Sequence, residues 1–295
     1  MKIITYNING IRASAKLGLI GWIDKFDADV YCFQEVRCDK NLTKKILFQE
    51  KEQLSLFEQQ PNNLLKKYYP IYNCGEIAGY AGTLILSKIK PDKVFYDMGE
   101  LWKDSEGRTT TIIINSIAIV NAYVPNGNSR LEFKMKYLEA LNKYINQLQQ
   151  EYKVVCVGDF NIAHNEIDLT NPKECKNKSV FLPIERQAFD QLLNCGFIDT
   201  FRFLNPDKIK YSWRSYRSRI DTNYNSWKYR IDYILLSDHL VNNLKYSDIL
   251  DLEYSDHLAV VCELANLNTW FILIQKPKIK LVAKSNIRNQ KKDFL

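Results

Sequence analysis

The chain has 295 residues, 46% of them hydrophobic and 25% charged, with a formal net charge of +7. That balance describes a globular protein with a sizeable core, in one large domain or two small ones. Seven cysteines with no Cys-x-x-Cys pair exclude a disulfide scaffold or a zinc site. Cys32, Cys156 and Cys262 sit inside apolar strand-like runs, where cysteine acts as a small hydrophobe.

A membrane span is not expected, because the longest apolar run of the tail, Trp270 to Ile274, is far too short. Nor is a signal peptide, since Lys2 is followed by only two apolar residues before Thr5, Tyr6 and Asn7. The expectation is a cytoplasmic protein. Most of the positive charge lies in residues 271–295, where seven basic side chains face Asp293 alone, a local +6 that leaves about +1 for the body.

In chain order, residues 2–7 form a strand that ends in Asn7-Ile8-Asn9-Gly10, and a helix follows with Leu17, Ile20, Ile23 and Phe26 at helical spacing. Residues 29–34 return as a strand ending at Glu35. From Lys40 to Asn73 the chain is rich in Lys, Gln, Asn and Leu and reads as a helical insertion with a polar loop around Pro61. Tyr80 to Ser87, Lys93 to Met98, Thr109 to Ile114 and Ile117 to Val124 are β-branched strands. A Pro-Asn-Gly turn at 125–127 leads to an amphipathic helix carrying Phe133, Tyr137, Leu141, Ile145 and Leu148.

Lys153 to Val157 is almost wholly apolar and reads as a strand buried on both faces, running into Gly158-Asp159-Phe160-Asn161. A loop of about twenty residues then reaches a helix with Pro183 in its first turn and Gly196 past its end. Residues 200–231 interleave eight basic side chains (Arg214, Arg217 and Arg219 among them) with eight aromatic ones, the combination a nucleic-acid backbone and its bases call for. Strands follow at Ile231 to Leu236, near Ile249, and at Leu258 to Leu264 after Ser255-Asp256-His257. Without regular βαβ alternation, this order suggests sheets packed together with helices outside.

Polar groups gather at the strand ends: Asn7, Asn9, Glu35, Tyr123, Asp159, Asn161, Asp232, Asp256 and His257. Singly, each has an ordinary reading: Asn9-Gly10 a turn, His257 a satisfied buried imidazole, Tyr123 a strand tyrosine, Asp232 a surface carboxylate. Jointly they make an acidic, amide-rich set with one histidine, one tyrosine and no serine or cysteine nucleophile. That set suits metal-assisted hydrolysis of a phosphate ester. Such chemistry needs a hard cation on oxygen ligands, a base near the attacking water, and donors aimed at the phosphate oxygens. Glu35 and Asn9 suit the metal, Asp159 the base, and Asn161, His257 and Tyr123 the donors. Asp232 would keep the His257 ring protonated and oriented.

The segments Met1 to Ala13, Gln34-Glu35, Asn121 to Gly127, Gly158 to Asn161, Phe181 to Arg186, Asp199 to Arg202, Tyr211 to Trp213, Arg230 to Tyr233 and Ser255 to His257 occur in order. Over residues 1–264 the chain closely resembles the exonuclease III family of apurinic/apyrimidinic (AP) endonucleases, within the endonuclease/exonuclease/phosphatase superfamily. The resemblance implies one α/β domain, a four-layer sandwich of two mixed β-sheets packed face to face with helices on both outer sides, then a basic extension at 265–295. It implies a monomeric enzyme that uses Mg²⁺, with Mn²⁺ as a substitute. The implied substrate is double-stranded DNA with abasic sites or blocked 3′ ends. Cleavage would fall 5′ to the lesion, with 3′-phosphatase and 3′→5′ exonuclease activity alongside.

Carried over, Glu35 binds metal with Asn9 and Asp256, and Asp159, Asn161 and His257 belong to the metal site as well. Asp159 activates water, Asn161 and His257 contact the scissile phosphate, Tyr123 lies against it, Asn7 orients the site and Asp232 supports His257. Trp213, Tyr229 and Ile231 match an abasic-sugar pocket, with Asn126, Arg130, Arg214 and Arg217 toward DNA. Lys228-Tyr229 stands where Gly-Trp is common in the family. The alternatives are a phosphodiesterase of the same fold acting on other substrates, and a DNA-binding relative that has lost catalysis.

Overall fold

Strands form where β-branched and apolar residues run together, and their pairing decides which polar ends meet. The structure is a computed structural model that describes residues 1–48, 67–77, 79–215, 227–265 and 267. Most of the expected insertion, residues 216–226 with Arg217 and Arg219, and nearly all of the basic extension lie outside the described residues.

The strands, in chain order, begin with β1 (Lys2–Asn7), β2 (Val30–Gln34), β3 (Tyr69–Asn73), β4 (Thr83–Ser87), β5 (Lys93–Phe95), β6 (Thr109–Ile114) and β7 (Ile117–Tyr123). They continue with β8 (Lys153–Asp159), β9 (Phe197–Asp199), β10 (Trp213–Arg214), β11 (Lys228–Tyr229), β12 (Asp232–Ser237), β13 (Leu244–Ile249) and β14 (Val260–Leu264). One six-stranded sheet has the order β13-β14-β1-β2-β4-β3 and the other β5-β6-β7-β8-β12-β9. Both are mixed: β1–β2 and β7–β8 are parallel, their other neighbours antiparallel.

Side-chain alternation divides each strand between two environments. On the first sheet, Ile4, Tyr6, Tyr31, Phe33, Leu84 and Leu86 face outward onto Ile11, Leu19, Ile20, Ile23 and Leu47 of the helices Ile11–Lys16, Leu19–Phe26 and Lys40–Phe48. On the second, Ala118, Val120, Val154, Cys156, Tyr233 and Leu235 face the helices Leu131–Leu148 and Pro183–Asn194 through Tyr137, Leu141, Ile145, Phe189 and Leu192. The remaining positions meet between the sheets. There Gln34 donates from Nε2 to Asn121 Oδ1 at 2.7 Å, and the hydroxyls of Thr83 and Thr110 meet at 2.8 Å. The result is helix, sheet, sheet, helix: a four-layer α/β sandwich.

The expected strands occur, trimmed at their ends. The helix expected across Leu17 to Phe26 is interrupted at Gly18, whose φ of 105° is left-handed. Leu17 therefore caps the preceding turn and is 56% exposed instead of packing in the core. Tyr69–Asn73, expected within the helical insertion, is the edge strand β3, paired to β4. The parallel contact of β7 with β8 requires Gly158: a Cβ there would lie 1.7 Å from the Ala122 carbonyl oxygen.

Candidate active site

Register places the chemistry. Tyr123, Asp159 and Asp232 are direct partners across β7, β8 and β12, so three adjacent strands put a phenol and two carboxylates in one row. On the facing sheet, Asn7 pairs with Gln34 and Glu35 follows at once. Just past their strands, Glu35 (φ 53°), Asn9 (φ 46°) and Asn161 (φ 52°) take left-handed backbone. Asparagine tolerates that region, but for glutamate it is unusual and typical of a constrained functional turn.

Hydrogen bonds then lock the two sheets together at this end. Asn7 Nδ2 donates to Glu35 Oε1 and to Asp159 Oδ2, both at 2.9 Å. Tyr123 donates its hydroxyl to Glu35 Oε1 at 2.7 Å. Asn161 donates its backbone N–H to Asp159 Oδ1 at 2.8 Å and its Nδ2 to Asp159 Oδ2 at 3.1 Å. His257 pairs Nδ1 with Asp232 Oδ2 at 2.9 Å, while its Nε2 lies 4.0 Å from Asp159 Oδ2. Ser212 fixes Asp232 by donating Oγ to the same Oδ2 at 2.7 Å. Asp256 accepts from Asn9 Nδ2 at 2.9 Å and from Trp213 Nε1 at 3.1 Å.

Electrostatics follow from burial. Burial opposes a charge on His257, but Asp232, with Asp159 and Asp256 behind it, prevails and pushes the imidazole up to about 10. The ring so held favours its charged form, in which Nε2 carries a proton and acts as a donor. Burial, reinforced by Asp232, raises Asp159 above the usual carboxylate range, giving it the proton affinity a base needs. Burial also raises the Tyr123 hydroxyl, with Glu35 and Asp159 adding to it, so the phenol stays protonated.

Ligand atoms of Glu35, Asp159 and His257 all lie within 4.8 Å of one another. The donors suit a hard divalent cation on chemical grounds. Glu35 Oε2 is buried and accepts no hydrogen bond, its neighbour being the Arg37 guanidinium in an ion pair. A cation can take over the charge that Arg37 now compensates. Carboxylate oxygens from Glu35 and Asp159, with amide oxygens close by, are the ligand set that Mg²⁺ or Mn²⁺ prefers. Each oxygen of Asp256 accepts one of the side-chain hydrogen bonds from Asn9 and Trp213, and Asn161 turns its Nδ2 inward to Val124 and Asp159.

The site lies at one end of a cleft of about 800 Å³ lined by Asn126, Lys178, Trp213, Trp227, Tyr229 and Ile231 among others. Trp213 and Tyr229 stack with ring centroids 4.9 Å apart, Trp227 stands edge-on to Tyr229, and Lys178 Nζ sits 3.8 Å over the Trp227 ring. Of the side chains expected toward DNA, Asn126 lines the cleft. Arg214, at 3.9 Å from Glu253, and Arg130 are absent from its lining. Arg130 is held by Glu106 at 2.8 Å and by the Tyr80 hydroxyl at 2.9 Å, because residues distant in sequence close around it. Arg37 and Lys178 join the site without having been singled out for it, and Ser212, quoted only within the Tyr211 to Trp213 segment, proves to fix Asp232. Arg37 could have been read from its place two residues after Glu35, whereas nothing in the sequence marks Lys178.

A buried base, an imidazolium, an oxygen-rich cation site and an aromatic cleft together define a phosphate-ester hydrolase. The chain belongs to the Endonuclease/Exonuclease/phosphatase family, whose model matches residues 4–257. It is 36% identical over 266 residues to the exodeoxyribonuclease of Bacillus subtilis (strain 168), covering 88% of this chain and 98% of that one. It is 34% identical over 271 residues to the DNA repair nuclease APEX1 of Danio rerio, covering 90% and 82%. An AP endonuclease from Archaeoglobus fulgidus shares the fold with a TM-score of 0.77 at 25% identity, over 90% of this chain and 100% of that one. The protein is a hydrolytic nuclease of that family.

Proposed function

We propose that the protein is a Mg²⁺-dependent DNA repair nuclease of the exonuclease III type. It hydrolyses the phosphodiester 5′ to abasic sites in duplex DNA, with 3′-phosphatase and 3′→5′ exonuclease activity at the same centre. The observation that carries the reading is the meeting of Glu35, Asp159, Asn161, Tyr123 and His257, drawn from both sheets, at the foot of a ring-lined cleft. In this reading Glu35 holds the cation, with Asn9 and Asp256 completing the acidic rim. Bound there, the ion supplies charge neutralisation at the scissile phosphate.

Asp159 takes the proton from the attacking water. In this reading His257 Nε2–H donates to a phosphate oxygen as charge grows there, and the Asn161 amide and Tyr123 hydroxyl join it once substrate and cation draw them from Val124, Asp159 and Glu35. Asp232 keeps the imidazolium charged and fixes its plane through Nδ1. Asn7, bonded to both Glu35 and Asp159, holds the metal side and the base side in one geometry. Trp213, Tyr229 and Ile231 form the wall against which a flipped abasic sugar packs, at a cost lower than for a base-bearing one. The cleft's Lys178 and Arg37 meet the DNA backbone. The protein acts as a monomer, and its free cysteines suit a cytoplasmic setting.

The test is incision of a duplex containing one tetrahydrofuran abasic analogue, with Mg²⁺ or with EDTA. Metal-dependent cutting 5′ to the lesion supports the assignment. Equal cutting of undamaged duplex points instead to a general nuclease, and binding without cutting to an inactive relative.

A further inference from the structure

One fully buried ion pair lies outside the hydrolytic set yet touches it. Lys134, from the second turn of the helix Leu131–Leu148, and Glu185, from the first turn of the helix Pro183–Asn194, are both 0% exposed, and Lys134 Nζ meets Glu185 Oε1 at 2.5 Å. Burying two charges in this way is costly unless every remaining lone pair and proton is used. Here most of them are answered by groups that line the cleft.

Lys134 Nζ also donates to the backbone carbonyl of Asn161 at 2.8 Å. Glu185 accepts from Ser179 Oγ at 2.8 Å, from Val180 N–H at 2.8 Å and from Leu182 N–H at 3.1 Å. Three cleft-lining segments therefore converge on one charge pair: the turn after β8 that carries Asn161, the loop 177–182, and the turn at 126–128. The third is pressed against it, since a Cβ on Gly127 would lie 2.3 Å from Ser179 Oγ and 3.0 Å from Glu185 Oε1.

Two of these segments are in conformations they would not choose alone. Val180 has φ of 94°, forbidden ground for a β-branched residue, and Asn161 has φ of 52°. Strain of this kind persists only where surrounding contacts over-determine it. Glu185 supplies one such contact to the Val180 N–H, and the Ala163 N–H supplies another to its carbonyl at 2.8 Å.

We infer that Lys134 and Glu185 are positioning residues for phosphodiester hydrolysis. They hold the Asn161 turn against Asp159 and keep the 177–182 wall, with Lys178, closed over the cleft. The inference rests on the nuclease assignment above but makes a separate claim, that this pair sets turnover and is more than a strut. Removing one partner alone would strand a buried charge, so the variant to make is the double Lys134→Met with Glu185→Gln, which removes the charges together and keeps the volume.

The double variant is expected to keep a cooperative thermal transition and wild-type circular dichroism. Its kcat on the abasic duplex, per folded molecule, should drop by up to about 100-fold, the loss that a misplacement of the order of 1 Å inflicts on a catalytic group. KM should change less than kcat, by no more than about threefold, because Trp213, Tyr229 and Arg37 lie outside the segments that the pair holds and keep their place in the cleft. The single variant Lys134→Arg retains the charge and the donor and should recover part of the lost kcat. A merely structural pair would lower the melting midpoint and the folded fraction while leaving kcat per folded molecule and KM intact, and that result overturns the inference. So does a loss confined to KM. Absence of incision by the wild-type protein would instead sink the nuclease assignment.

Discussion

Replacing Asp232 by asparagine isolates the charge that keeps His257 protonated. The imidazole is held to about 10 against an ordinary value of 6.5, and at 1.36 kcal/mol per pH unit that preference for the charged form is on the order of 5 kcal/mol. Asp159, with its Oδ2 at 4.0 Å from Nε2, and Asp256 remain in Asp232→Asn, so part of the preference survives. The amide preserves the geometry: its oxygen can take the place of Oδ2, which accepts from Ser212 and pairs with His257, and its nitrogen the place of Oδ1, which has no partner. The cost of that buried, unanswered amide is roughly 1–3 kcal/mol.

Because the folded-state value of His257 is raised, the pair's contribution to stability is complete below about pH 6.5 and is lost as pH rises through about 10. The kinetic expectation runs the same way. Measured as kcat/KM on the abasic duplex at one fixed Mg²⁺ concentration, wild-type activity should rise through about pH 7 as Asp159 loses its proton, stay level to about pH 9 and fall beyond it, while Asp232→Asn should already fall between roughly pH 7 and 8.5. Thermal midpoints of the two proteins should converge as pH rises. An alkaline limb that does not move in Asp232→Asn would refute the assignment of the imidazolium as a phosphate donor held by Asp232.

Asp159→Asn should abolish incision, by at least about 10³-fold, and leave affinity for labelled abasic duplex within a few-fold in fluorescence anisotropy; a comparable loss of binding counts against its role as base. Val180→Gly relieves about 1–3 kcal/mol of backbone strain but gives up a buried isopropyl group worth about 1.5–3 kcal/mol and adds about 0.5–1 kcal/mol of glycine entropy, so its midpoint by circular dichroism should fall by only a few degrees, less than buried valine loss alone would cause. Gly158→Ala should fail to yield folded protein, because its methyl would sit 1.7 Å from the Ala122 oxygen at the parallel join; a soluble variant with normal melting would disprove that close approach.

How much of this could be read from the residues varies with the range of the interactions. The run at 153–157 announces a strand buried on both faces because nothing polar interrupts it, and β8 is that strand. The strand-end groups were legible because a carboxylate or amide just beyond such a run is unusual. Their arrangement was not: Tyr123, Asp159 and Asp232 become neighbours only through register. Short elements such as β3, β10 and β11 escaped for a related reason, since a few residues become a strand only when a distant partner supplies the ladder. Arg130 shows the same limit for charges. Alone it resembles a free DNA contact, yet Glu106 and Tyr80 take up its guanidinium. Leu17 fitted a helical stripe that Gly18 then broke.

The row across β7, β8 and β12 also decides how this enzyme must fail when heated. Its reactive groups hang on the ladder of the central sheet, and sliding β8 by a single residue would send Asp159 to the opposite side of that sheet. Mobile loops commonly loosen well before a domain melts, and enzymes built on them lose activity early. Softening of the periphery therefore leaves Tyr123, Asp159 and Asp232 in line while the ladder holds, and incision lost on heating short of melting should be lost through the turns that carry Glu35, Asn161 and His257.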